Sequence, residues 1–204
     1  MQILYELMRA YVINLDERTD RMDEFRKNQL PFSVERISAI RTDPGWEGCT
    51  QSHLEVIRKA KVPFIVLEDD CVMLQSWEVV SECMKELPEG WDALWLGGTL
   101  MVPVERYSPG LIRIREVFCA HAIIYNSQRI KDYIVNEYEN YINLQDRRKT
   151  IDVFYAYDVQ YKFNCFMTDP LCATQLTGYS DIEKLVVNYT QIIEHFNIYT
   201  NAGK

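Results

Sequence analysis

The sequence predicts an α/β sandwich built on a mainly parallel, mixed central sheet. Short apolar runs of strand length alternate with helical apolar stripes through the first half of the chain. That alternation is the pattern of strand–helix–strand units, whose crossovers run neighbouring strands the same way. The 204 residues carry no repeat, low-complexity tract or long linker, so one domain over residues 1–204 is expected.

The elements follow in order. MQILYELMRA places Ile3, Leu4, Leu7 and Met8 at helical spacing, which reads either as a partner helix or as a loosely ordered extension over residues 1–9. AYVINL, residues 10–15, is the first strand. A charged helix follows, with Thr19 or Asp20 as its cap and Met22 and Phe25 turned inward. FSVERISAI, residues 32–40, alternates as a second strand, and RTDPGWEG turns the chain. CTQSHLEVIRKA puts Cys49, His53, Val56, Ile57 and Ala60 on one helical face. FIVL is the third strand, WEVVSECMKEL a helix, ALWLGG a strand with a glycine stop, LIRIREV an alternating strand and CAHAIIYN an apolar one. The longest helical pattern is SQRIKDYIVNEYENYI, with Ile130, Tyr133, Ile134, Tyr138, Tyr141 and Ile142 on its stripe. FNCFM supplies a late strand, a loop runs through Pro170, and the chain ends in an amphipathic stretch.

Composition narrows the function. Thirty acidic against 22 basic residues leave a net charge of -8. That balance argues against sequence-independent nucleic-acid binding, which depends on Lys and Arg neutralising phosphates. It agrees with a protein that holds a divalent cation. The six cysteines form no CxxC pair, so a zinc framework is not expected. Disulfides stay open, but scattered thiols fit a reducing compartment better. With no run of transmembrane length and no signal-peptide pattern, the expected location is cytoplasmic.

The chemistry concentrates in FIVLEDDCVML, where Glu68, Asp69 and Asp70 interrupt an apolar run. Open α/β sheets bind ligands at the carboxyl ends of their strands. In an extended chain Glu68 and Asp70 share one side and Asp69 points away. Two carboxylates on one side call for a hard cation between them, of the kind that also holds substrate phosphates. The competing reading is a solvated turn whose acids cap the next helix.

Three stretches carry a resemblance in their order and spacing: VINLDERTDRMDEF, GCTQSHLEVIRKA and FIVLEDD. They are similar to glycosyltransferase family 25, the group of lipooligosaccharide and collagen-type galactosyltransferases. The matching residues are Asn14, Leu15, Arg18, Asp20 and Arg21; Gly48, Cys49, Ser52, His53 and Leu54; and Glu68, Asp69 and Asp70. Weaker matches are IDVF with Asp152, then Gln175 and the run Ser180, Asp181, Ile182. The resemblance implies a GT-A fold and a nucleotide-sugar donor, UDP-linked by resemblance alone. It implies Mn2+ or Mg2+ on the diphosphate at Asp70 and Glu68, with Asp69 beside them. Asn14, Leu15 and Arg18 would contact base and ribose, and Ser52 and His53 would line the donor pocket.

Transfer to a glycan hydroxyl with inversion needs a carboxylate base. Asp152 is the first choice, because VFYAY follows it and could stack on a sugar; Asp158 is the second, and a helix cap is the plain alternative for Asp152. His53 and His121 are equally readable as core histidines, His195 as an exposed helix residue or a late metal ligand, and Tyr133, Tyr138 and Tyr141 as packing. Gly97 and Gly98 either turn the chain or let a sugar approach the backbone. Two other functions stay open: sugar transfer onto a nucleic-acid base, and a catalytically inactive GT-A domain used for binding.

Overall fold

The computed structural model describes residues 8–144, 150–180, 182 and 184–201. In chain order the elements are β1 (Arg9–Asn14), α1 (Thr19–Phe25), β2 (Val34–Ser38), α2 (Gly45–Lys59), β3 (Phe64–Glu68), β4 (Cys71–Met73), α3 (Trp77–Lys85), β5 (Ala93–Trp95), β6 (Thr99–Leu100), β7 (Glu105–Ser108), β8 (Leu111–Arg113), β9 (Val117–Phe118), β10 (Ala122–Tyr125) and α4 (Gln128–Leu144). There follow α5 (Ile151–Phe154), a π-helical turn (Tyr155–Val159), α6 (Gln160–Lys162), β11 (Cys165–Thr168), β12 (Ala173–Gln175), β13 (Gly178–Ser180), β14 (Leu185–Val187) and α7 (Thr190–Asn201).

Eight strands form one sheet in the order β2-β1-β3-β10-β5-β11-β8-β7. β1 pairs in parallel with both β2 and β3, and β5 with β11. β10 lies antiparallel between β3 and β5, so those two strands still point the same way. The sheet is therefore mixed, with one prevailing direction, and the carboxyl ends of β1, β2, β3 and β5 share an edge.

Alternation along the strands builds two cores. Tyr11, Ile13, Phe64, Val66, Trp95, Ile123 and Tyr125 face the layer made by α2, α4 and α5. Ala10, Val12, Ile65, Leu67, Leu94 and Ile124 face Met22 and Phe25 of α1 and Trp77, Val80 and Cys83 of α3. A strand covered on both faces must be apolar at every position, which explains the unbroken FIVL and AIIY runs. Tyr133, Tyr138 and Tyr141 each bring a ring against Phe154, so they are packing residues.

Several expectations change. Met8 is buried and Arg9 already belongs to β1, so the fold begins inside the stretch expected to be loose; residues 1–7 lie outside the described part. β1 ends at Asn14, leaving Leu15 in the bend beyond it. Neither Thr19 nor Asp20 caps α1: the cap position is Arg18, whose guanidinium bonds Asp20 instead. Gly97 has a packing role. A Cβ there would lie 1.9 Å from the Ala173 carbonyl oxygen and 3.0 Å from His121 Nε2, so the glycine lets β12 pack against the strand end. The cysteines among the described residues are free. Among those residues, no helix is long and apolar enough to cross a membrane.

Candidate functional site

The acids stand where β3 ends. Strand geometry stops at Glu68; Asp69 and Asp70 form the turn, and β4 follows rather than a helix. Helix capping by these acids is thereby ruled out. The turn also breaks the alternation expected of an extended chain, and Asp69 faces the same cavity as Glu68 and Asp70. Gathering three acids requires donors, and the fold brings them from four segments. Asn14, at the end of β1, donates through Nδ2 to Asp69 Oδ2 at 2.7 Å. Arg21 of α1 donates through Nη1 to Asp69 Oδ1 at 3.0 Å and Asp70 Oδ2 at 3.3 Å, and through Nη2 to the Tyr179 carbonyl oxygen at 2.6 Å. His53 Nε2 lies 2.8 Å from Glu68 Oε1. Gln175, the last residue of β12, places Nε2 3.3 and 3.4 Å from the two Asp70 oxygens and 3.5 Å from Glu68 Oε2.

Burial divides these carboxyls. It pushes Asp70 up to about 7, helped by the Glu68 charge and opposed by Arg21. It also raises Asp69, against the bonds from Asn14 and Arg21. Burial acts upward on Glu68 too, but the His53 bond and charge outweigh it, and Glu68 is held low. A carboxyl near 7 beside one held low reflects like charges buried close together.

The motif on α2 has two faces with different duties. A Cβ on Gly48 would lie 2.1 Å from the Ile40 carbonyl oxygen, and Ser52 Oγ accepts from the Ile40 amide at 2.8 Å. Both residues clamp the helix to the chain leaving β2. Ser52 is fully buried in that clamp and does not line the cavity, contrary to its expected place in the donor pocket. Cys49 and His53, four residues apart, do line it. Among the described residues, ligand atoms of Cys49, His53 and Glu68 lie within 4.8 Å of one another.

Two cavities meet at this point. The first, about 130 Å³, is walled by Asn14, Leu15, Arg18, Arg21 and the three acids. The second, about 580 Å³, is walled by Trp46, Phe118, Leu185, Val187 and Asp152. Glu68, Cys49, Gln175, Ser180, Ile182 and Tyr189 line both. Asp152 therefore shares the second cavity with Glu68, while Asp69 and Asp70 line the first alone. Asp152 Oδ1 accepts from the Thr150 hydroxyl and, at 2.9 Å, from the Val153 amide; its Oδ2 accepts from the Cys119 amide at 3.4 Å. Asp158 lines neither cavity: it pairs with Lys162 and accepts from Tyr133 Oη at 2.6 Å, so it is displaced as an alternative base. His195 also lies outside both, with Nδ1 3.1 Å from the Leu100 carbonyl oxygen. His121 is fully buried beside Glu68, whose amide donates to the His121 carbonyl. Asp181 is outside the described residues.

Sequence reasoning gave Gln175 and Tyr189 no role. Gln175 reaches the acids because β12 pairs with β4, Gln175 opposite Cys71, a contact with no local signature. Tyr189 carried no pattern that set it apart. No protein-family model matches the chain, and no curated protein matches it.

Proposed function

We propose that this chain is a metal-dependent glycosyltransferase of GT-A type, resembling family 25, which moves a sugar from a nucleotide-diphosphate donor, UDP-linked by resemblance, to a glycan hydroxyl with inversion. The carrying observation is the convergence of Glu68, Asp69, Asp70 and Arg21 at the strand ends, in a small cavity that shares a wall with a larger, mostly apolar one lined by Asp152. The side chains within reach of Asp70 present nitrogens, from Arg21 and Gln175; the ligands this wall offers Mn2+ or Mg2+ are the carboxylate oxygens of Asp70 and Glu68. Asp70 and Glu68 would hold such a cation, which when bound supplies positive charge for the departing diphosphate.

The chain's own residues do the rest. Asn14, Leu15 and Arg18 line the part of the first cavity assigned to base and ribose. Arg21 sits beside the acids with a guanidinium suited to phosphate oxygens. The acceptor occupies the second cavity. Its hydroxyl gives its proton to an Asp152 oxygen as the oxygen bonds the anomeric carbon. The bond from that carbon to the diphosphate breaks, and its electron pair leaves with the nucleotide. The apolar walls exclude water that would otherwise take the sugar.

Calorimetry of UDP and GDP with and without Mn2+ tests this, on the wild type and Asp70→Ala. One nucleotide should bind only with Mn2+, and the substitution should abolish that binding. No nucleotide binding under any condition would sink the reading.

A further inference from the structure

Gln175 is a polar residue at the meeting of the two cavities, in contact with the acids, that the reaction above does not use. Its backbone is held on both sides. The β4–β12 pairing sets it opposite Cys71, and the Leu176 amide donates to the Asp70 carbonyl at 2.7 Å. It is 9% exposed. Its Nε2 stands among three carboxylate oxygens of Glu68 and Asp70, at 3.3–3.5 Å from each. These contacts are long for hydrogen bonds. The amide group spans the gap between two acids without closing tightly on either. Its Oε1 is buried with no hydrogen-bond partner, a costly arrangement for a carbonyl that is normally satisfied.

A carboxamide has a donor end and an acceptor end of nearly the same shape, exchanged by a half-turn about its last bond. With nitrogen inward, Gln175 offers N–H groups to two acids that have no cation between them. With oxygen inward, it would repel those acids, unless a cation lay there. A hard cation takes neutral carbonyl oxygens readily beside carboxylates. We infer that Gln175 is a third protein ligand of the cation at Asp70 and Glu68, turning its amide over so that Oε1 meets the metal, and that its N–H end stands in for the cation when none is bound. The inference rests on the cation reading above. It explains two otherwise separate facts: an amide nitrogen lodged between two acids, and an orphaned oxygen on the same group.

The test uses Mn2+ alone, without nucleotide, followed by loss of the free-ion paramagnetic resonance signal. The wild type should bind. Gln175→Ala should bind about 10-fold or more weakly. Gln175→Glu should bind at least as tightly as the wild type and, without metal, melt lower because a third acid joins the pair; Mn2+ should restore it. A diamagnetic Mg2+ titration should also shift the Gln175 side-chain amide resonances. If Gln175→Ala melts lower but binds Mn2+ like the wild type, the residue only spaces the acids and the inference fails. Weaker binding by Gln175→Glu, where alanine does not fold, overturns it equally. If the wild type itself binds neither ion, the cation reading falls first and this one with it.

Discussion

The two cavities share a wall but are built on opposite principles. The smaller is tied together by charge: Arg21 bridges Asp69, Asp70 and the Tyr179 carbonyl, and Asn14 braces Asp69. Its donors come from β1, α1, α2 and β12, and its acids from the end of β3. The larger is surfaced by Trp46, Phe118, Leu185 and Val187, with Asp152 as its principal acid. A charged network holds a narrow geometry, because each displaced group leaves a buried partner unpaired. An apolar wall tolerates variation in what it covers, since its attraction follows area rather than direction. The proposed transfer would use both: a fixed seat for the diphosphate and a permissive one for the acceptor.

Substitutions should separate the two halves. The largest effect is expected at Asp152. Asp152→Asn should lower the turnover number about 100-fold or more, while calorimetry shows metal-dependent nucleotide binding unchanged; equal loss of both would place Asp152 with the donor. Next, Arg21→Met should weaken nucleotide binding by about 2 kcal/mol, roughly 30-fold, the worth of a bond to a charged group. Its effect on the acceptor KM should be small. Phe118→Ala should do the reverse, raising the acceptor KM several-fold, about 1 kcal/mol, and leaving the nucleotide isotherm alone.

A pH effect comes from the wall behind Glu68. Burial depresses His121 to about 4, although Glu68 pulls it upward. The folded state thus binds fewer protons than the unfolded chain between about 4 and the ordinary value of 6.5. The neutral ring's contribution to stability is complete above 6.5 and is lost as pH falls from there toward 4. Urea unfolding across that window should show a slope that His121→Gln flattens; an unchanged slope would assign the acid sensitivity to other groups. The smallest effect concerns Cys119, whose thiol burial and Asp152 push up to about 12. Although it lines the larger cavity, it should resist iodoacetamide at pH 8, as peptide mapping would show.

Much of this site was legible before folding. The acids and the Cys49–His53 face lie in segments with strong local patterns, while Asn14, Arg18 and Arg21 were singled out by the family resemblance. Those patterns name strands, helices and strand ends without reference to distant contacts. What misled was local as well: the alternation rule turned Asp69 away, yet the strand stops at Glu68 and a turn carries all three acids to one side. The family resemblance put Ser52 in the pocket with His53, but adjacent helical positions point about 100° apart, and Ser52 faces Ile40. Asp152 ranked ahead of Asp158 only for the aromatic stretch that follows it; the path of the π-helical turn directs Asp158 toward Lys162 and leaves Asp152 at the cavity.

The sequence by itself determined that the protein is α/β, that its sheet is covered on both faces, and that acids end its third strand. Periodicity and apolar runs are properties of neighbours in the chain, so they need no tertiary knowledge. Tertiary structure alone decided that β10 enters between β3 and β5, that Gly97 admits β12, and that Gln175 arrives beside Asp70 across 105 residues. Those outcomes depend on which surfaces bury each other best, and packing is a property of the whole chain rather than of any stretch within it.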